Sequence, residues 1–143
     1  MTQLNWSPEY PLRLSSQAVI PDSPGVYQVL TKTAFGRLRG SSRIVSIGSA
    51  RASLKKRLAG QRMGDPKRYL SRAEKWLLDA GHELWFRFAL TEADSATTVE
   101  TELFAEYETE HWELPPSNNK NLPGRVTKAI LQSPHERLPQ QLS

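Results

Sequence analysis

Few residues in this chain can do chemistry, and that narrows its options. There is no cysteine, which removes thiolate nucleophiles, thiolate metal sites and disulfides together. The three histidines, His82, His111 and His135, fall in a turn, at a helix end and in the tail, and read as structural or solvated groups. Glu100 and Arg57 are more informative. On a helix turning about 100° per residue, Ala96, Leu103, Phe104, Tyr107 and His111 all lie within roughly 60° of Glu100. Its carboxylate therefore falls inside an apolar stripe, where an unpaired charge is costly. Such a group wants a cation, either Arg57 in a partly buried ion pair or a metal. Mg²⁺ suits it, because Mg²⁺ accepts one carboxylate together with waters and substrate oxygens, and Mn²⁺ is the alternative. Arg57 sits beside Leu54 on a short helix, whereas Lys56 points away. The edge position suits bidentate phosphate contact, or it makes Arg57 an ordinary surface arginine. Tyr27 shares a strand face with Gly25 and Val29, as a core tyrosine or part of a site. Asn118, after Pro115-Pro116, is a turn residue, a cap or an active-site contact. Gly48 lets a phosphate or another backbone approach closely, or simply ends a strand.

The charge pattern favours a polyanionic partner. The formal net charge is +4 and the pI about 9.6. Residues 37–75 carry 12 Lys plus Arg against two acids, whereas residues 92–113 carry eight acids and no Lys or Arg. Phosphates attract the first kind of surface and release counterions on binding. An uneven but merely solvated surface is the alternative. No apolar run approaches a membrane span, and the N-terminus does not resemble a signal peptide. Both points, with the absence of cysteine, fit a cytoplasmic protein without a membrane partner.

The elements that must position these residues are legible in part. Residues 1–23 hold three prolines and no clear period, and read as an extended arm packing on the domain. The arm ends at the Pro24-Gly25 turn. Strands are expected over 26–30 and 43–47, joined as an antiparallel hairpin by a turn-rich stretch, 34–42. A short helix capped near Ser53 runs to Gly60, with Leu54 and Leu58 facing inward. A second helix covers 69–80, with Gly81 at its C-cap. Alternation over 83–90 predicts a half-buried strand, and a long helix follows from a cap at Asp94 or Ser95 to about Trp112. The fold expected is α+β, a small three-stranded antiparallel sheet flanked by helices. Residues 24–121 form the domain, and 122–143 a polar tail with at most one short turn over 126–131.

Two blocks separated by the hairpin resemble the name-giving motifs of the GIY-YIG nucleases. The first is Gly25-Val26-Tyr27; the second is Val45-Ser46-Ile47-Gly48-Ser49-Ala50, followed by Arg57-Leu58 on a helix. Val99-Glu100-Thr101-Glu102-Leu103-Phe104 and Pro115-Pro116-Ser117-Asn118 match the later motifs in order. The resemblance spans residues 24–118 and implies hydrolysis of DNA phosphodiesters with one divalent cation. It implies that Glu100 holds the metal, that Arg57 binds the scissile phosphate, and that Tyr27 orders the site. Asn118 would be an active-site contact, and Lys55, Lys56, Arg62, Lys67 and Arg68 would meet the nucleic-acid backbone. The chain departs from the pattern at Ser46, where the family has a tyrosine that helps activate water. A phenol, with a pKa near 10, suits proton transfer; a serine hydroxyl is far less acidic. Period two puts Ser46 opposite Val45 and Ile47, on the accessible side, so Ser46→Tyr is expected to raise cleavage. Two other readings stand beside the endonuclease: a GIY-YIG-fold nucleic-acid-binding module with weakened catalysis, and a partner-binding protein using the acidic helix 92–113.

Overall fold

The structure, a computed structural model, describes residues 3–58, 71–119 and 125–132. Its centre is a long hairpin. Strand β2 (Gly25–Gly36) pairs antiparallel with β3 (Ser41–Ala50) and, on its other side, with β4 (Leu84–Leu90). A fourth strand, β1 (Tyr10–Pro11), adds to β4, giving the order β1-β4-β2-β3, antiparallel throughout. The fold class is α+β, with one strand more than the sequence suggested. Pro8 and Pro11 obscured it, since a proline cannot donate to a ladder and is tolerated only at an edge. There the arm bonds anyway: Ser7 and Leu12 donate to the carbonyls of Phe88 and Leu84 at 2.8 and 3.0 Å.

Helices cover both faces. Helix α1 (Leu54–Leu58) is started by Ser53, whose hydroxyl accepts from the Lys56 amide at 3.2 Å, an N-cap bond. Leu54 and Leu58 are both fully buried, against Tyr27, Ala50 and Phe86. Helix α2 (Arg72–Asp79) opens with a reciprocal capping box between Ser71 and Glu74, and Gly81 follows it with φ 93°. Helix α3 (Ala96–His111) crosses the other face, where Val99 packs on Val26 and Ala89. A 3-10 turn, Ala93–Ser95, leads into it, and neither Asp94 nor Ser95 caps it through a side chain.

The tail departs from expectation. Helix α4 (Arg125–Gln132) buries Leu131 in the cluster of Val29, Phe35, Val45, Ala73 and Leu77, and the Gln132 amide donates to the Trp76 carbonyl at 3.1 Å. Only its apolar stripe marks it as part of the core. Among the described residues no helix is long and apolar enough to cross a membrane.

Candidate functional site

Strand register sorts the motif residues between the two sheet faces. Across the hairpin Tyr27 opposes Gly48, Val29 opposes Ser46, and Val26 opposes Ser49. Directly opposed residues project to the same side. Tyr27, Gly48 and Ser46 therefore share the face under α1 and α2, while Val26 and Ser49 face α3.

On the first face the packing is close. A Cβ placed on Gly48 would lie 2.7 Å from Tyr27 Cε1 and closer still to the ring end. What approaches Gly48 is thus the Tyr27 ring, neither a backbone nor a phosphate, and only glycine leaves room for it. Tyr27 is 6% exposed and belongs to the core. Ser46 is 2% exposed, which corrects the accessible placement expected for it. The cause is that helices cover both faces of the hairpin, so Ser46, on the side of Tyr27 and Gly48, is buried no less than Ile47 on the other side. One step on, Val29 opposes Ser46 but Leu30 opposes Ile44, so Val45 is an extra residue and strict alternation fails there. Val45 is buried in the cluster of Val29.

The open part of the site lies where β3 ends. A cleft of about 560 Å³ is lined by Ser49, Arg51, Lys56, Arg57 and Thr97. Lys55, Lys56 and Arg57 are all exposed on α1. Glu100 reaches this end from α3: half-buried, it accepts a hydrogen bond from the Ser49 hydroxyl at 3.1 Å. Among the described residues it makes no ion pair with Arg57, so the structural salt bridge weighed from the sequence is not its partner. Arg51 leans toward Asp94 at 3.8 Å, both side chains largely solvated. Such a pair is worth little, and it leaves the cleft positive.

Asn118 sits outside the cleft. Its side-chain oxygen accepts from Ile47 N–H at 2.9 Å and its amide donates to Ile47 C=O at 3.1 Å. The carboxamide thus caps the free edge of β3 as another strand would, and holds the strand that carries Gly48 and Ser49. Arg62, Lys67 and Arg68 lie outside the described residues.

The basic stretch 37–75 is not uniformly available. Arg37 is buried and donates to Glu113 at 2.7 Å and to the Leu114 carbonyl at 2.6 Å. Arg43 donates to the Thr31 carbonyl at 2.8 Å and to Glu9. The hydrogen bond from Arg43 holds the Glu9 carboxyl below its usual range. Charge counting along the sequence cannot see such partners, so these two arginines leave the expected phosphate-binding surface. His111 is buried, bonded to the Arg39 carbonyl at 2.9 Å and packed 4.4 Å from the Tyr107 ring, a structural role. His82 is half-buried beside Phe35, and desolvation lowers its pKa.

The residues available for a divalent cation are limited. Among the described residues no group of three or more His, Cys, Asp or Glu converges, so an all-protein cage is not offered. Glu100 alone fits the other mode, in which Mg²⁺ keeps most of its waters and takes one carboxylate plus substrate oxygens. Ser49, Arg51 and Thr97 line the cleft in addition to the residues the sequence marks. Ser49 was within reach, since its parity is opposite to that of Gly48 and so matches the side of α3. Comparison with family models, with curated proteins and with solved structures returned no match.

Proposed function

We propose that this chain is a nucleic-acid phosphate-binding domain of GIY-YIG nuclease type that hydrolyses phosphodiester bonds with one divalent cation. The observation that carries the reading is the convergence, at the end of β3, of exposed Arg57 and Lys56 with the Ser49–Glu100 pair. Arg57 presents a planar fork that suits a non-bridging phosphate edge, and it meets greater charge as the bond to the leaving oxygen breaks. Lys55 and Lys56 supply attraction without sequence preference. Ser49 holds one oxygen of the Glu100 carboxylate, and the carboxylate's remaining lone pairs are where one Mg²⁺ or Mn²⁺ would be held. That cation would neutralise charge at the phosphate and supply an activated water. Tyr27 acts from below, fixing β2 to β3 across Gly48 and so fixing the cleft floor.

The burial of Ser46 favours a second reading, a module of the same fold that binds nucleic acid and cleaves slowly or not at all. No side chain at that position meets the cleft to assist water. One panel separates the two: single-stranded, duplex and branched DNA and RNA, incubated with Mg²⁺ or Mn²⁺ and followed for both binding and cleavage. Cleavage that needs the metal supports the nuclease; salt-sensitive binding without cleavage supports the module; affinity independent of salt rejects both.

A further inference from the structure

A second concavity lies farther along the groove between β3 and α3. Three strands contribute a row of side chains to its floor, since Gln28 opposes Arg87 on one side and Ile47 on the other. Tyr107 roofs it, Trp6 of the N-terminal arm closes one side, and Glu106 and Glu110 stand at its rim, around about 220 Å³.

The polar groups are fixed rather than loose. Arg87 Nε donates to Gln28 Oε1 at 2.8 Å, and Gln28 is 3% exposed. The guanidinium also lies 4.4 Å above the Trp6 ring, which holds its plane. These two contacts use Nε and one face of the guanidinium, leaving its Nη donors and the amide donors of Gln28. Burial of Arg87 is sufficient to lower its pKa, so its donors are partly stripped of water. On the opposite side the Tyr107 phenol is pushed up to about 12 by burial and stays neutral.

This arrangement restricts the ligand. A phosphate would meet Arg87 but also two carboxylates. A cationic group would meet the carboxylates but also Arg87. A neutral, flat molecule with acceptors along one edge and donors along another satisfies both, and stacks as Trp6 already stacks on Arg87. The volume is below the roughly 300–1,000 Å³ of sites for larger small molecules, which suits one ring system. Guanine has this pattern. Its O6 and N7 accept from an arginine, and its N1–H and N2–H groups donate to a carboxylate. Adenine puts an amino group where arginine needs an acceptor.

We propose that this cavity binds a guanine base. Delivery of the base by a strand rests on the nucleic-acid reading above, because Ile47 is two residues from Ser49, roughly 7 Å along β3, and Leu103 is one turn from Glu100. The cavity itself can be tested without phosphates. The full chain is titrated with guanosine, adenosine and cytidine by ligand-observed NMR. Guanosine should bind at least about tenfold tighter than the others, the discrimination of one bidentate base contact. Arg87→Lys keeps the charge but loses the fork, and should weaken guanosine about tenfold. Glu106→Gln, at an exposed rim position, should weaken it several-fold and serves if Arg87→Lys does not fold. Absence of guanosine binding, equal binding of adenosine or cytidine, or insensitivity to both substitutions overturns the proposal. Salt-sensitive oligonucleotide binding measured on the same samples tells the two readings apart. If it persists while guanosine fails, only the base site is lost. If guanosine binds as described while oligonucleotides do not, the base site stands and the phosphate reading falls.

Discussion

Two regions built from the same two strands have opposite characters. Tyr27, Ser46 and Gly48 lie on one face, each nearly closed to solvent and packed beneath α1 or α2. Ser49 and Arg57 line an open, basic cleft where β3 ends, and the Ser49 hydroxyl donates to Glu100 of α3. One residue of parity separates Gly48 from Ser49, and that step divides the closed face from the side of the open cleft. A motif read as a single string therefore mixes two environments: some of its residues hold the strands together, and others face the open cleft.

The contrast can be broken most sharply at Arg57. If the open region does the chemistry, Arg57→Ala lowers metal-dependent cleavage by about 10²-fold and leaves the unfolding free energy within about 0.5 kcal/mol of the parent. A loss of stability with unchanged cleavage would exchange the two roles. Gly48→Ala tests the closed region. The new Cβ meets the Tyr27 ring, so urea unfolding should show a loss of about 1–3 kcal/mol, with affinity for nucleic acid preserved in the folded fraction. Ser46→Tyr sharpens the same point. Burial reverses the expectation drawn from the sequence, because a phenol cannot fit where a 2%-exposed serine stands. The variant should lose stability by about 1–3 kcal/mol and gain no cleavage; a faster, equally stable variant would show that the position opens to the cleft.

Particular residues explain what the sequence revealed. Leu54 and Leu58, four apart, told correctly of an inward helix face, and the alternation from Leu84 onward found β4. Period and composition carry such signals locally. The fate of Ser46 was hidden because alternation marks two sides of a strand but not whether both are covered, and here Ser46 and Ile47 are buried alike. Arg37 looked like a surface cation because its partner, Glu113, is 76 residues away. β1 was masked by prolines, and α4 by its short length and polar setting. Gln28 and Arg87, which floor the second cavity, come together only through strand pairing.

The smallest expected effect lies far from the cleft, at the Glu9–Arg43 pair. Glu9 has a lowered pKa in the folded state, held chiefly by the hydrogen bond from Arg43. Its contribution to stability is present above the ordinary carboxylate pKa and fades as pH falls through the lower folded value. Both side chains are partly solvated, so Glu9→Gln should cost less than about 1 kcal/mol at neutral pH. The difference between parent and variant should vanish in acid. A difference that grows on acidification would contradict the assignment.

Under the proposed function Glu100, oriented by Ser49, would admit the cation that makes the cleft a nuclease site. The direct measurement is the single-turnover cleavage rate of parent and Glu100→Gln on one nucleic-acid substrate, titrated with Mn²⁺ at fixed pH. The expected result is metal-dependent cleavage by the parent, and for the variant a rate lower by at least about 10²-fold with unchanged folding and nucleic-acid binding. Equal rates and equal metal dependence in the two proteins would contradict it.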